Sequence, residues 1–317
     1  MARTDSLANF LTDIANSIRE KTGSTATISP MQFDNAIEDM PSGEGDEAMA
    51  ASYMSCIDGT LGANCTKLPN GVTTIGKQAF YQQTGLALTE LPETITSIGD
   101  SAFEGCTNLA LTSLPSGLTS IGLKAFYNCS NLALSSIPDS VTSIGGSAFY
   151  YCTKLALTEL PKAVSTEVPG HCFTGCTGLR IRQIPDTVEN IGAYAFFGTY
   201  CLTNTIFSAN LKNINYEGLR SCSYNKTFVF LGDCTSLSFS DSALTHNSGL
   251  EDVIFPNAVA VPTCGRNILG GSRLGNLGIG HIYVPDALVD NFKAAGGWST
   301  YANYILPLSE YTGEVTW

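Results

Sequence analysis

Aliphatic and phenyl positions in this chain recur on a fixed beat. Leu-Pro or Ile-Pro begins at Leu68, Leu91, Leu114, Ile137, Leu160 and Ile184, in steps of 23, 23, 23, 23 and 24 residues. Ile75-Gly76 with Ala79-Phe80 returns as Ile98-Gly99 with Ala102-Phe103, then at Ile121, at Ile144 and, after a variant coil, at Ile191 with Ala195-Phe196. The variant coil carries Val168-Pro169 and Cys172-Phe173 at these positions and holds the one-residue insertion. The repeating unit reads L-P-x-x-[VIL]-T-[ST]-I-G-x-x-A-F-x-x-C-x-x-L-x-L. A period of this size predicts stacked structural repeats, each burying its apolar face only against its neighbours.

Within a coil, Val141-Thr142-Ser143-Ile144 is short, rich in β-branched residues and closed by Gly145, which predicts a brief strand. Leu132-Ala133-Leu134, ahead of Ile137-Pro138, predicts a second short extended piece, because proline biases its predecessor away from helix. After Leu202 the beat loosens. Ile214 keeps the step and Cys222 keeps the cysteine position, while Phe228 to Leu231 and Val253 to Pro256 predict further strands. Between Leu68 and about Gly280 this makes about nine coils, rising ~4.8 Å each.

The flanks follow another period. Leu7, Phe10, Leu11, Ile14 and Ile18 share one helical face, Gly23 stops that helix, and Ser29-Pro30-Met31-Gln32 opens a second through Phe33, Ile37 and Met40. The domain boundaries expected are a helical hairpin over 1–40, a Gly- and acid-rich linker over 41–55, the repeat stack over 56–280 and a C-terminal cap over 281–317. In the cap, His281 to Pro285 predicts a strand, and Asp286 is expected to cap a helix over Ala287 to Ala295.

Composition narrows the chemistry. In 317 residues, 16 Lys and Arg stand against 28 Asp and Glu, a net charge of -12, which argues against nucleic acid or anionic lipid as partner. Three histidines argue against a His-rich metal site. Met1 to Lys21 lacks the unbroken apolar core of a signal peptide, and no run reaches the ~20 apolar residues of a membrane span, so neither export by that route nor membrane insertion is expected. Eleven cysteines in a chain made in a reducing cytosol are read as thiols; Asn64, Asn128 and Asn225 lie in sequons that carry no meaning without export.

Each candidate for chemistry has a plainer reading beside it. Cys106, Cys129, Cys152 and Cys176, continued through Thr199 to Cys222, share one inward position and are expected to pack as small apolar groups. His171, Cys172 and Cys176 lack a fourth ligand for zinc, and the acidic chain offers no electropositive surround for a Cys-His nucleophile. The run Gly270 to Gly278 lacks the spacing of a phosphate or dinucleotide loop and is read as a loop, while Glu251 and Asp252, adjacent on an extended segment, point apart. The position after each Ala-Phe, Tyr81, Glu104, Tyr127, Tyr150, Thr174 and Phe197, is expected to face outward. Tyr81, Tyr127, Tyr150, Tyr151 and Phe197 are therefore the candidate binding residues, beside the bland reading of edge residues shielding a turn. Thr73, Thr96, Thr119 and Thr142 predict a flat hydroxyl ladder. No catalytic residue, metal ligand or cofactor is predicted.

The coil resembles the BspA-like leucine-rich repeat family, whose I-G-x-x-A-F-x-x-C is matched at Ile98 to Cys106, Ile121 to Cys129 and Ile144 to Cys152. The resemblance implies a mainly β repeat fold, a right-handed leucine-rich-repeat solenoid here flanked by the helical hairpin and a small α/β cap, used for adhesion or protein binding and not for catalysis. Asp13 to Gly23, with the Ser-Pro helix after it, and Ile282 to Leu308 are similar to the ends of bacteriophage and prophage tail-associated proteins. That second resemblance implies a virion component of a tail, baseplate or fibre, made in the host cytoplasm. Its hairpin would dock on other virion proteins or self-associate through Leu7, Phe10, Leu11, Ile14 and Ile18, and its coils would meet a host protein or glycan. The alternative is a bacterial surface adhesin or interaction module; an enzyme ranks third.

Overall fold

The computed structural model describes residues 68, 72–164, 166–181, 184–202, 206–224 and 226–313. The hairpin expected over 1–40, with Leu7, Phe10, Leu11, Ile14 and Ile18, and the linker over 41–55 lie outside the described residues. The chain divides into two compact units with the boundary after Leu155.

In the first unit, β1 (Thr74–Ile75), β2 (Ser97–Ile98), β3 (Ser120–Ile121) and β4 (Ser143–Ile144) form one parallel sheet in chain order. Ile75, Ile98, Ile121 and Ile144 are in register, so each strand repeats the one before after 23 residues. The strands last two residues because a glycine follows each, and the glycine is required: a Cβ on Gly145 would lie 2.4 Å from Leu123 N.

The chain then turns through a residue of positive φ, Gln78, Ser101, Lys124 and Ser147, into the Ala-Phe pair. The phenyl rings stack nearly parallel, Phe80 on Phe103 at 5.2 Å, Phe103 on Phe126 at 5.4 Å and Phe126 on Phe149 at 5.6 Å. All four are fully buried beside the Ile row.

Main-chain bonds between coils run in opposite directions on the two sides. On the strand side Gly99 N donates back to Ile75 O at 2.7 Å and Gly122 N to Ile98 O at 2.8 Å. On the turn side Phe80 N donates forward to Ala102 O and Phe103 N to Ala125 O, both at 2.8 Å. The inner coils of this unit, such as that of Ile98 and Phe103, therefore give and accept on both flanks, as buried backbone groups require.

The second extended piece makes one such bond per coil, Ala110 N to Leu88 O and Ala133 N to Leu111 O, and does not become a strand in this unit. The proline that ends it, Pro115 or Pro138, has no N–H to extend the ladder.

In the second unit the strands are β5 (Glu167–Val168), β6 (Asn190–Ile191), β7 (Ile206–Phe207), β8 (Asn213–Ile214), β9 (Thr227–Phe230), β10 (Ser238–Phe239), β11 (Asp252–Ile254), β12 (Thr263–Cys264), β13 (Ile282–Val284) and β14 (Ile305–Pro307). They form two parallel sheets, β12-β10-β8-β6-β5 and β14-β13-β11-β9-β7. In the first sheet Val168, Ile191, Ile214, Phe239 and Cys264 share a register with steps of 23, 23, 25 and 25 residues. The extended piece that stayed irregular earlier becomes the second sheet here, and its longest strand is β9.

Phe207, Phe228, Phe230 and Phe239 fill the space behind these strands. Trp298 is fully buried among Phe239, Phe255 and Phe292, and its Nε1 donates to Pro262 O at 2.8 Å.

Two local expectations are corrected. The run Gly270 to Gly278 is not all loop: it holds helix α1 (Arg273–Leu277), with Ser272 Oγ accepting from Gly275 N at 2.9 Å and Gly278, at φ 62°, ending it. Helix α2 (Val289–Ala294) starts later than Ala287, after a 3-10 turn over Asp286–Leu288. Asp286 does not cap it; its Oδ1 accepts from Ser309 N at 3.1 Å, and that backbone bond holds the C-terminal segment instead.

Gly145→Ala should destabilise the chain by about 2–3 kcal/mol, because backbone rather than a yielding side chain blocks the new Cβ. Gly85→Ala, with nothing within 4 Å, should be neutral or stabilise by up to ~1 kcal/mol. Urea unfolding of the two variants measures the contrast.

Candidate functional site

The outer edge of each coil carries two positions three residues apart: the positive-φ residue and the one after the buried Phe. Their side chains meet within the coil. Ser101 Oγ donates to Glu104 Oε2 at 2.7 Å, and Lys124 Nζ lies 5.5 Å from the centre of the Tyr127 ring. Successive coils place these pairs side by side. Tyr127 stacks on Tyr150 with centroids 4.4 Å apart and planes 3° apart, and Tyr151 leans on Tyr150 at 4.8 Å and 49°.

Tyr127 and Tyr150 are half-buried, and Tyr151 is exposed. The Tyr150 phenol is held above its ordinary range, first by burial and then by the neighbouring phenols of Tyr127 and Tyr151. Three of the five expected binding tyrosines and phenylalanines thus form one group, with Lys124 added. Tyr81 does not join it, since Glu104 occupies the coil between.

In the second unit, Phe197 meets Tyr194 edge-on at 6.0 Å and Arg220 lies 5.0 Å over its ring. Tyr194 stacks on His171 at 4.6 Å and meets Tyr216 edge-on at 5.3 Å. Arg220 Nη1 donates to Glu217 Oε2 at 2.8 Å, which closes the group with an ion pair. Thr174 breaks the outward rule: it is buried, and its Oγ1 donates to Tyr194 O at 2.6 Å. A small hydroxyl at this position can turn back to the main chain, as a ring cannot.

The hydroxyl ladder is present. Thr73, Thr96, Thr119 and Thr142 are exposed, and each of the last three donates Oγ1 to the carbonyl one coil back, at 3.2, 2.9 and 3.2 Å. These protons are committed to the stack, and the methyl groups and oxygen lone pairs remain on the surface.

The inward cysteines do more than fill space. Cys106, Cys129 and Cys152 donate S–H to Phe80 O, Phe103 O and Phe126 O at 2.9, 3.0 and 3.0 Å. In the second unit the same position holds Thr199, whose Oγ1 donates to Phe196 O at 3.0 Å, and Asn247, whose Nδ2 donates to both Leu219 O and Leu244 O at 2.8 Å. In these coils the position holds a donor that meets a carbonyl of the Phe or Leu row, whereas Cys222 meets Asn247 Oδ1 at 3.6 Å.

Burial pushes the thiols of Cys106, Cys234 and Cys264 up to about 12 and holds Cys129 and Cys222 well above the usual value. These thiols stay protonated, the opposite of what a nucleophile or metal ligand needs. His171 turns to the edge while Cys172 and Cys176 turn into the core, and no group of three possible ligands occurs among the described residues. Glu251 pairs with Lys226 and Arg273, whereas Asp252 accepts from His281 N, so the adjacent carboxylates do diverge.

The repeat model described as BspA type leucine rich repeat region matches six copies over residues 55–180 and 158–273, more than half of the chain. This chain belongs to the BspA-type leucine-rich repeat family. Among solved structures, a leucine-rich repeat protein of T. pallidum is 25% identical, with 65% of this chain and 78% of that one covered and a TM-score of 0.39. A leucine-rich cell surface protein of Faecalibacterium prausnitzii is 21% identical, with 77% and 84% covered and a TM-score of 0.40. A leucine-rich repeat protein of Bacteroides ovatus is 17% identical, with 76% and 82% covered and a TM-score of 0.38. No curated protein matches the chain significantly.

In this BspA-type chain the edge residues that pattern reading missed are Lys124, His171, Tyr194, Tyr216 and Glu217. Four of them hold positive φ and Tyr216 sits beside one of the four, and none is glycine or asparagine, so nothing in their identity announces the turn. The period itself could have revealed them, since all but Tyr216 precede Ala-Phe, Cys-Phe or Gly-Leu by one residue.

With Cys56 and Cys65 changed to Ser, the native chain should leave Ellman's reagent unreacted at pH 8, and all nine described thiols should react after unfolding. Because the folded thiols titrate above the unfolded ones, unfolding releases protons in alkali. Urea stability should therefore fall as pH rises from about 9 towards 12.

Proposed function

We propose that this BspA-type chain is a non-catalytic interaction module that displays the edge of its coils to another macromolecule, as an adhesin or recognition element. About nine coils over residues 56–280 make up the display. The observation that supports it best is the Tyr127, Tyr150 and Tyr151 group with Lys124 beside it. Aromatic side chains already held rigid by stacking lose little freedom on binding, and each joins an apolar ring to a hydroxyl able to hydrogen-bond. The inward positions cannot share this role, because they are buried in the stack.

A second reading, a virion component, draws on the likeness of Asp13 to Gly23 and Ile282 to Leu308 to tail-associated proteins. In it the helix face of Leu7, Phe10, Leu11, Ile14 and Ile18 attaches the chain to other virion proteins, and the chain is made in the host cytoplasm and released in the particle. Quantitative proteomics of purified virions against cell envelopes separates the readings, since enrichment in envelopes alone sinks the second.

For the first reading, the triple variant Tyr127→Ala, Tyr150→Ala, Tyr151→Ala should bind target cells at least about tenfold more weakly in flow cytometry. Circular dichroism should show the wild-type fold. Undiminished binding by the folded triple variant would contradict the edge as the recognition surface.

A further inference from the structure

Tyr200 and Tyr224 differ from the other stacked tyrosines. Their rings are parallel, with centroids 4.8 Å apart and planes 9° apart, yet they are 43% and 62% exposed. Tyr224 is the most exposed tyrosine among the described residues. Tyr127 and Tyr150, by contrast, are half-buried between each other, Lys124 and Tyr151.

The reason lies one coil on. The register that pairs Thr227 with Asp252 puts Gly249 at the position of Tyr224. A Cβ on Gly249 would come within 1.9 Å of Tyr224 O, so no side chain can occupy that position and continue the stack. The aromatic pair is thus ended by a glycine that the backbone itself requires, and the far face of Tyr224 has no ring neighbour among the described residues.

The same register pairs Lys226 with Glu251, two residues on in each coil from Tyr224 and Gly249. Lys226 Nζ lies 3.3 Å from Glu251 Oε1, Arg273 Nη1 pairs with the same carboxylate, and the Lys226 side chain is 71% exposed. A paired Lys, Glu and Arg still hold spare donors and lone pairs for neutral hydroxyl groups.

We propose that Tyr200, Tyr224, Lys226 and Glu251 form a carbohydrate site that takes one neutral pyranose of an oligosaccharide. The C–H face of the sugar lies on the open face of Tyr224, and its ring hydroxyls meet the Lys226 and Glu251 head groups. Nucleic-acid bases would also stack, but a chain of net charge -12 repels their phosphates. A protein partner would cover about 800 Å² on each side and so reach well beyond these two rings, whereas one sugar ring matches the open face in size. The inference goes beyond the proposed function and uses none of the edge residues assigned there, so each can fail without the other.

The test is a neutral-glycan microarray probed with the full chain, followed by saturation-transfer difference NMR on the best-bound oligosaccharide. Binding is expected, with saturation concentrated on the C–H protons of one pyranose face. Tyr224→Ala should weaken it at least about tenfold, Tyr224→Phe should hold it within about threefold, and the Tyr127→Ala, Tyr150→Ala pair should leave it unchanged. Tyr200→Ala, which removes only the supporting ring, gives a second variant if Tyr224→Ala does not fold. Absence of any bound neutral glycan, binding only to proteins, or binding unchanged in folded Tyr224→Ala and Tyr200→Ala would overturn the proposal.

Discussion

The constraint on which this molecule rests is that the backbone inside a stack of coils has no water to bond to and must be met by the neighbouring coil. The chain meets it with two sets of bonds of opposite sense. Strand amides such as Gly99 N reach back one coil, and turn amides such as Phe80 N reach forward one coil. Positive φ at Gln78, Ser101, Lys124 and Ser147 is needed to aim the forward set, and it costs roughly 1 kcal/mol or more at each non-glycine residue. The bonds and the burial of the adjoining Ala-Phe pair offset that cost. The cysteine position completes the scheme by supplying one more donor to the phenyl carbonyl.

With the inside so committed, the edge is where residues of unlike chemistry are admitted. Residues at the positive-φ position and after the Phe are not required by the stack, and they differ from coil to coil: Ser with Glu, Lys with Tyr, Tyr with Phe, Glu with Arg. What the stack does give them is fixed spacing and little freedom. A surface made this way holds anchors rigid and in a set order, which is what the proposed recognition role would use. The thiols, by contrast, are committed to the core, where burial pushes Cys106 up to about 12.

Much of this was legible from the period alone. The Ile and Phe rows, the short strands, the inward cysteines and the Thr ladder all follow from residues that must be alike in every coil. The stack reads them as identical environments, so the pattern carries the information. The rest depends on features the pattern does not encode. The period does not say whether the second extended piece becomes a strand: it stays irregular at Leu111 and Leu134 and forms β9 over Thr227–Phe230. The helix within Gly270 to Gly278 depends on one serine hydroxyl at Ser272, and Asp286 is claimed by Ser309 from a segment remote in sequence. Thr174 turns inward because its neighbour's carbonyl is in reach. The Tyr127, Tyr150 and Tyr151 group was visible as a row, but its partner Lys124 was not, since nothing about a lysine marks a left-handed turn.

Amide hydrogen exchange resolved to single residues tests the account most directly. If coils are joined on both sides, the amides of Gly99 and Gly122 on the strand side and of Phe80, Phe103 and Phe126 on the turn side should exchange together, slowly, at the rate of global unfolding. Rapid exchange at the phenylalanine amides while the strand amides stay protected would contradict it, for the turn side would then be open to water and the coils held by the sheet alone.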